Sequence, residues 1–393
     1  MPILQACKRF FKRASEADKA EYELFCNENA DWLDDYVDFV VLKKWYKGKS
    51  WTEWGKGFRK RDSKALAAIE ALLWEEIRQE KFNQFIFARQ LKRLKDYANK
   101  KSIQLMGDMP MFVSHDSSDT WANQKLFALD HEGRPVYVAG VPPDYFSATG
   151  QLWGNPQYDW DAMEADDYQW WIKRIKHVLE QVNLLRIDHF RAFDEYWEVP
   201  AGEPTAVNGK WQPGPGMKLF NMLKKEISED TVIVAEDLGS YSETVVKLVK
   251  DTGFPEMKVL HFEMSPDDKG NLRFIAPENS LVYTGTHDNN TTVGWLKEEA
   301  NDTQIKAIRK LLNMPGGNST SMCSGLIAYA YSSPARMAII PTQDLLGLDS
   351  KYRMNIPGTV DNNWNWRLTP EQLRILAIEK APKLKKLCTE YKR

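Results

Sequence analysis

The residues best placed to do chemistry in this 393-residue chain lie in L-L-R-I-D-H-F-R-A-F, residues 184–193. Leu184, Leu185 and Ile187 read as a short buried strand, and at its end Arg186, Asp188, His189 and Arg191 crowd ionisable groups together. A strand that is apolar in its body and charged at its C-terminal lip is the sequence form of a (β/α)-barrel active site. The pattern recurs. T-V-I-V-A-E, residues 231–236, runs into Glu236-Asp237, and L-V-Y-T-G-T-H-D, residues 281–288, ends in His287-Asp288. Three carboxylates delivered at the same end of three strand-like runs point to cleavage of a glycosidic bond by paired carboxylates.

Each station carries a bland reading beside the chemical one. A guanidinium next to Asp188 favours the ionised carboxylate, which suits a nucleophile, yet a structural Arg–Asp pair tying strand to loop has the same spelling. The apolar run before Glu236, with Leu238-Gly239 after it, implies partial burial and a raised pKa, as a general acid requires. Asp237 is its rival, because one of two adjacent side chains must point elsewhere. His287 and Asp288, in T-G-T-H-D-N-N-T-T, also read as a helix cap or a loop hydrogen bond. The segment 139–160, rich in Pro, Gly and aromatic residues, offers Tyr145, Phe146 and Trp153 either as the rim of a glycan cleft or as an ordered loop packed on a barrel.

The elements that must position these groups follow from periodicity. Residues 1–100 read almost wholly as helix, with Ser63 the expected cap of one carrying Leu66, Ile69, Leu72, Leu73 and Ile77, and a second pattern at Phe82, Phe85, Leu91 and Leu94. Trp32, Trp45, Trp51 and Trp54 are expected to cement small helices, and the basic cluster Lys56 to Arg61 to be a solvated face. From residue 103 onward, strands near 103–106, 184–188, 231–236, 257–262, 281–285 and 337–341 alternate with helices near 166–182, 216–228 and 241–251. Such alternation predicts parallel strands with covering helices, about six where a closed barrel has eight.

Composition removes several classes. Lys+Arg 53 against Asp+Glu 55 leaves a net charge of -2, which argues against nucleic acid or a membrane surface as partner. Trp 15, Tyr 15 and Phe 17 make the chain aromatic-rich, as large cores and sugar-stacking sites both require. Cys7, Cys26, Cys323 and Cys388 show neither CxxC pairing nor metal-ligand spacing, so buried thiols in a reducing compartment are expected. No run approaches a membrane span and the N-terminus lacks a signal-peptide core, which predicts a cytoplasmic protein. Phosphate-cradling GxGxxG and GxxxxGK[ST] motifs are missing, as is a GxSxG elbow.

Beyond these physical readings, R-I-D-H-F-R, A-E-D-L-G, T-H-D-N-N-T and G-Q-L-W-G-N-P resemble the amylomaltases and plant disproportionating enzymes, the 4-α-glucanotransferases. So do G-D-M-P-M-F-V-S-H-D-S at 107–117, Q-D-L-L-G-L from 343 and R-M-N-I-P-G-T up to 359, all in the family order between about residues 30 and 370. The resemblance implies Asp188 as nucleophile, Glu236 as general acid/base and Asp288 as the carboxylate that grips sugar hydroxyls and stabilises the transition state. It implies Arg186 and His287 around the sugar at the cleavage point, and Asp144, Tyr145, Phe146, Gln151, Trp153 and Asn355 as substrate contacts. Malto-oligosaccharides and glucose would be donor and acceptor, and neither metal nor organic cofactor would be needed. In a retaining enzyme of this kind the Asp188 and Glu236 carboxyls would stand roughly 5–5.5 Å apart.

The implied fold is α/β, a (β/α)8 TIM barrel of glycosidase type present with about six strands. Residues 1–100 would be a helical subdomain inserted in the barrel, and residues 101–393 barrel strands 3 to 8. The chain departs from the family pattern in two places. Glu256 follows Pro255 where the family carries Gly, which could disturb a turn, and the family has further sequence ahead of the position of Met1 that supplies the first barrel strands. The strands near 103–106 and 337–341 are therefore expected not to pair. That departure sets a second reading beside the enzyme: a glucan-binding remnant without turnover, or one subunit completed by an N-terminal polypeptide.

Overall fold

A computed structural model describes residues 2–143, 147–239, 242–359 and 361–393. Helices fill the first hundred residues, at Pro2–Arg13, Glu16–Glu28 and Ala30–Trp45, then Ser63–Leu72 and Trp74–Lys100. Asp62, not Ser63, caps the fourth of these, its carboxylate accepting the Lys64 and Ala65 N–H groups. The residue before the first helical turn is the one whose side chain can fold back on orphan amides. The two later patterns are separated only at Leu73, so Phe82 and Phe85 belong to one helix of 27 residues.

Two aromatic cores hold this region. One gathers Tyr22, Leu33, Val37, Phe82 and Phe85, and the other Phe39, Leu42, Trp51, Trp54 and Trp121. Trp51 and Trp54 thus cement as expected, whereas Trp45 is 52% exposed. The basic cluster is only partly a solvated face: Arg59 pairs with Glu132 at 2.6 Å, and Arg61 pairs with Asp35 while lying over the Trp121 ring at 4.4 Å. A guanidinium can stack and pair at once, which burial beside a ring rewards.

Ten strands follow among the described residues: β1 (Met106–Met109), β2 (Tyr137–Val141), β3 (Gln151–Pro156), β4 (Leu184–Ile187), β5 (Glu195–Pro200), β6 (Lys210–Pro213), β7 (Val232–Ala235), β8 (Glu256–Val259), β9 (Ser280–Tyr283) and β10 (Met337–Ile339). Six form one sheet in the order β1-β4-β7-β8-β9-β10, so the expected six-stranded α/β architecture is present, with β1 and β10 at opposite ends of the order. Every pairing recorded in it is parallel. β1 begins later than the sequence suggests: the Leu105 N–H goes to the Asn183 side chain at 2.9 Å, while the Leu105 carbonyl accepts the Asn183 and Leu184 N–H groups.

The other four strands form an antiparallel sheet, β3-β2-β5-β6; the sequence reading placed the region of β2 and β3 in a loop and named no strand at β5 or β6. Gly140 and Gly154 interrupt β2 and β3, and Pro200 and Pro213 end β5 and β6. Gly140 sits there by necessity: a Cβ would come within 2.4 Å of the Gln151 carbonyl oxygen.

The chain divides into two units, Met1–Ile233 with Ser242–Thr252, and Val234–Tyr241 with Gly253–Arg393, so that β7 contributes to both. In the second unit Leu260, Val282, Trp295, Ile308 and Leu326 build the core beneath β8 and β9. Glu256 opens β8 and meets Lys258 at 2.7 Å; the turn is made by Gly253 at φ 73°, so the departure at 256 disturbs nothing there. All four cysteines are unbridged, three of them buried. Among the described residues no helix is long and apolar enough to cross a membrane, and no group of three His, Cys, Asp or Glu is arranged to hold a metal ion.

Candidate active site

In the first unit the candidate nucleophile stands where β4 ends. All four residues of β4 are buried, and the Asp188 N–H donates to the Met109 carbonyl at 3.0 Å, continuing the β1–β4 ladder by one residue. Register places Arg186 opposite Asp108. The Arg186 guanidinium, 7% exposed, therefore reaches both carboxylates, Nη1 to Asp108 at 2.7 Å and Nη2 to Asp188 at 2.9 Å. A planar fork can serve two acceptors in fixed directions, and its burial strengthens both contacts. The side chains of Asp188 and Asp108 stay 42% and 47% exposed, open to a ligand. Sequence reasoning paired Arg186 with Asp188 but missed Asp108, although the strand signal ending in Gly107-Asp108 was there to use.

His189 follows in the left-handed region at φ 48°, which turns its ring onto Trp153 at 4.8 Å, edge to face. Burial, with Arg191 adding to it, pushes its pKa down to about 4, so the imidazole is neutral near pH 7. Trp153 and Gln151 lie on β3, both exposed, with the indole N–H donating to the Gln151 amide oxygen at 3.2 Å. Asp144, Tyr145 and Phe146 lie outside the described residues.

In the second unit β7 ends at Ala235, and the two adjacent carboxylates part there. Asp237 turns inward, accepts the Met257 N–H at 2.9 Å and lies 3.8 Å from the Lys258 ammonium. Burial raises its pKa, with Lys258 opposing. Glu236 is half-buried and accepts the Leu238 N–H at 3.2 Å.

The third station is the turn after β9. His287 Nε2 lies 3.2 Å from Asp288 Oδ2, and the Asn355 amide donates to Asp288 Oδ1 at 2.6 Å. Arg353 donates to the Asp288 carbonyl at 2.6 Å and to the Asn355 carbonyl at 2.8 Å, fastening the two segments together. Asn355, which the resemblance implies as a substrate contact, thus lies against Asp288. Trp364, 54% exposed, sets its ring 5.0 Å from that of His287 and was not anticipated, although N-N-W-N-W put exposed aromatics close by.

Asp188, Glu236 and Asp288 thus each follow the C-terminal end of a parallel strand, β4, β7 and β9, the end at which barrel enzymes carry their chemistry.

Residues 1–373 match the family model described as 4-alpha-glucanotransferase. The 4-alpha-glucanotransferase of Synechocystis sp. is 46% identical over 380 residues, covering 94% of this chain and 74% of the relative. That of Streptococcus pneumoniae is 42% identical over 395 residues, covering 100% and 76%. Among solved structures, the amylomaltase from Streptococcus agalactiae in complex with acarbose superposes with a TM-score of 0.92 at 36% identity, covering 100% of this chain and 78% of that one. The amylomaltase from Corynebacterium glutamicum, at 17% identity and a TM-score of 0.73, shares the fold.

Proposed function

The chain belongs to the 4-alpha-glucanotransferase family of glycosyltransferases, and from that membership we propose that it moves α-1,4-glucan segments between malto-oligosaccharides by a retaining double displacement. The observation that carries this reading is the buried Arg186 guanidinium held between Asp108 and Asp188 at the end of β4. It fixes a carboxylate beside a buried cation at a solvent-open position, which is the placement that attack on an anomeric carbon demands.

In this proposal Glu236 protonates the leaving glycosidic oxygen while Asp188 attacks the anomeric carbon, giving a covalent glycosyl-enzyme. Glu236, now a carboxylate, takes the proton from the 4-hydroxyl of an incoming glucan or glucose as that oxygen displaces Asp188, and two inversions give retention. No step calls on a metal or a cofactor. Asp288, with the Asn355 amide on one oxygen and His287 beside the other, is assigned the grip on the hydroxyls of the bound sugar.

Transfer requires the acceptor sugar to reach the intermediate ahead of water. The exposed Trp153 face beside His189 supports that role, with Gln151 holding the indole edge and Asp144, Tyr145 and Phe146 assigned to the same rim on sequence grounds. The acarbose bound in the Streptococcus agalactiae relative supports an oligosaccharide occupant.

Incubation with maltotriose tests the reading. Glucose together with longer maltodextrins is expected; glucose and maltose without longer products would instead indicate hydrolysis. Asp188→Asn is expected to remove essentially all turnover, since no neighbour replaces a nucleophile in line with the anomeric carbon. Undiminished transfer by that variant would overturn the assignment.

A further inference from the structure

Asp344 lies in the helix Thr342–Leu346, has been given no role above, and is 2% exposed. Its carboxylate accepts three hydrogen bonds. Oδ2 takes the Thr284 and Thr292 hydroxyls, both at 2.6 Å, and Oδ1 takes the Thr292 N–H at 2.7 Å. Thr284 follows the last residue of β9, and Thr292 opens the helix Thr292–Glu298. Those two residues bracket the segment 285–291, which contains His287 and Asp288. One buried carboxylate therefore ties together both ends of the loop that presents Asp288.

A second buried group closes the same base. The Thr292 hydroxyl gives its proton to Asp344, so the His261 Nε2 at 3.0 Å must be the donor to it, and Nδ1 carries the lone pair. The His261 ring stacks on Trp295 at 4.5 Å, and Gly285 packs so tightly upon it that a Cβ would stand 2.9 Å away. Within the loop, Asn289 Oδ1 accepts the Thr286 N–H and hydroxyl, both at 2.9 Å, which makes the turn a unit that moves with its ends. Burying a carboxylate is costly unless it is fully hydrogen-bonded, and an apolar packing of the same volume would often be at least as stable. Its placement here is best explained by geometry.

We propose that Asp344 is a positioning residue for Asp288, holding Thr284 and Thr292 at the separation that aims the Asp288 carboxylate at a bound sugar. This rests on the assignment of Asp288 to sugar binding made above.

The test is acarbose affinity by calorimetry for the full chain, with Asp344→Ala and Thr284→Val each made alone and in an Asp288→Asn background. Thr284→Val keeps the side-chain shape and removes only one hydroxyl, so it serves if Asp344→Ala does not fold. Both are expected to weaken binding about tenfold in the wild-type background, within the range of coupling for groups in one network. In the Asp288→Asn background they are expected to weaken it no further, because the group they aim has gone; a merely structural role would give the same loss in both backgrounds. Asp344→Asn, which keeps an acceptor for the Thr292 N–H, is expected to restore most of the affinity. Additive losses, or none in the wild-type background, overturn the proposal while leaving Asp288 at the sugar. Unaltered affinity in Asp288→Asn alone, or no acarbose binding by the wild type, removes instead the assignment on which the proposal rests.

Discussion

The guanidinium of Arg186 lies 2.9 Å from the carboxylate of Asp188, and its other terminal nitrogen is held at 2.7 Å by Asp108 across the β1–β4 ladder. The cation is buried while both carboxylates reach solvent, so its orientation is set from below and its effect is delivered above. A lysine carries the charge but not the fork.

Arg186→Lys is therefore expected to lower kcat on maltotriose by on the order of a hundredfold, the cost of a misplacement of about 1 Å at a reacting centre. The KM should change less than kcat. Steady-state kinetics checks this, and a variant with near wild-type kcat would show that charge alone is enough.

The two adjacent carboxylates after β7 are expected to separate by phenotype. Glu236→Gln should slow transfer from maltotriose yet retain the first step with an α-maltosyl fluoride, whose leaving group needs no proton, giving a burst of fluoride and a glycosyl-enzyme that turns over slowly for want of the base. Asp237→Asn should instead lower stability by about 1–3 kcal/mol, by disturbing the buried bond to the Met257 N–H and the contact with Lys258. Denaturant melts and the two substrates together distinguish the roles; absence of the fluoride burst in Glu236→Gln would contradict the acid role.

Trp153 is expected to govern the competition between sugar and water. Trp153→Ala should raise the apparent KM for a glucan acceptor by about tenfold, the value of roughly 1.4 kcal/mol of ring contact, and increase free glucose formed without longer products. Product analysis over time checks both. An unchanged ratio of transfer to hydrolysis would move the acceptor platform elsewhere.

Acid stability should report His261. Burial pushes its folded pKa down to about 3, with Arg353 adding to it, against about 6.5 unfolded. Between those values the unfolded chain binds the extra proton, so the contribution is full above about pH 6.5 and is lost as pH falls, at roughly 1.4 kcal/mol per pH unit. His189, with its folded pKa near 4, works in the same direction over a narrower window. Asp38 opposes them: burial and the neighbouring Glu70 raise it to about 7, so its contribution diminishes as pH rises toward 7. His261→Gln should remove about one proton from the uptake on unfolding between pH 4 and 6, measured from melts across that range.

Much of this was legible in the sequence. The runs Leu184 to Ile187, Val232 to Ala235 and Ser280 to Tyr283 announce strands because apolarity is a local property, and the carboxylate after each follows by position alone. Helical periodicity announced the first hundred residues in the same way, and the motifs around Asp188, Glu236 and Asp288 were sufficient for the family.

What tertiary structure decided was everything that depends on register or on contact between distant segments. Asp108 became the second partner of Arg186 only because β1 and β4 align at those two residues, 78 positions apart. Asp237, not Glu236, turned inward because the Met257 N–H opens toward it from β8. The antiparallel strands β2, β3, β5 and β6 carry no sequence signal as clear, and their pairing satisfies backbone groups that burial would otherwise leave without water. Asp344 lies 60 residues from Thr284 and 52 from Thr292, and the Q-D-L-L-G-L motif that contains it does not say which groups its carboxylate meets. A sequence records which side chains are apolar and which are charged; which charge is buried against which hydroxyl is fixed only when the chain has closed and water has left.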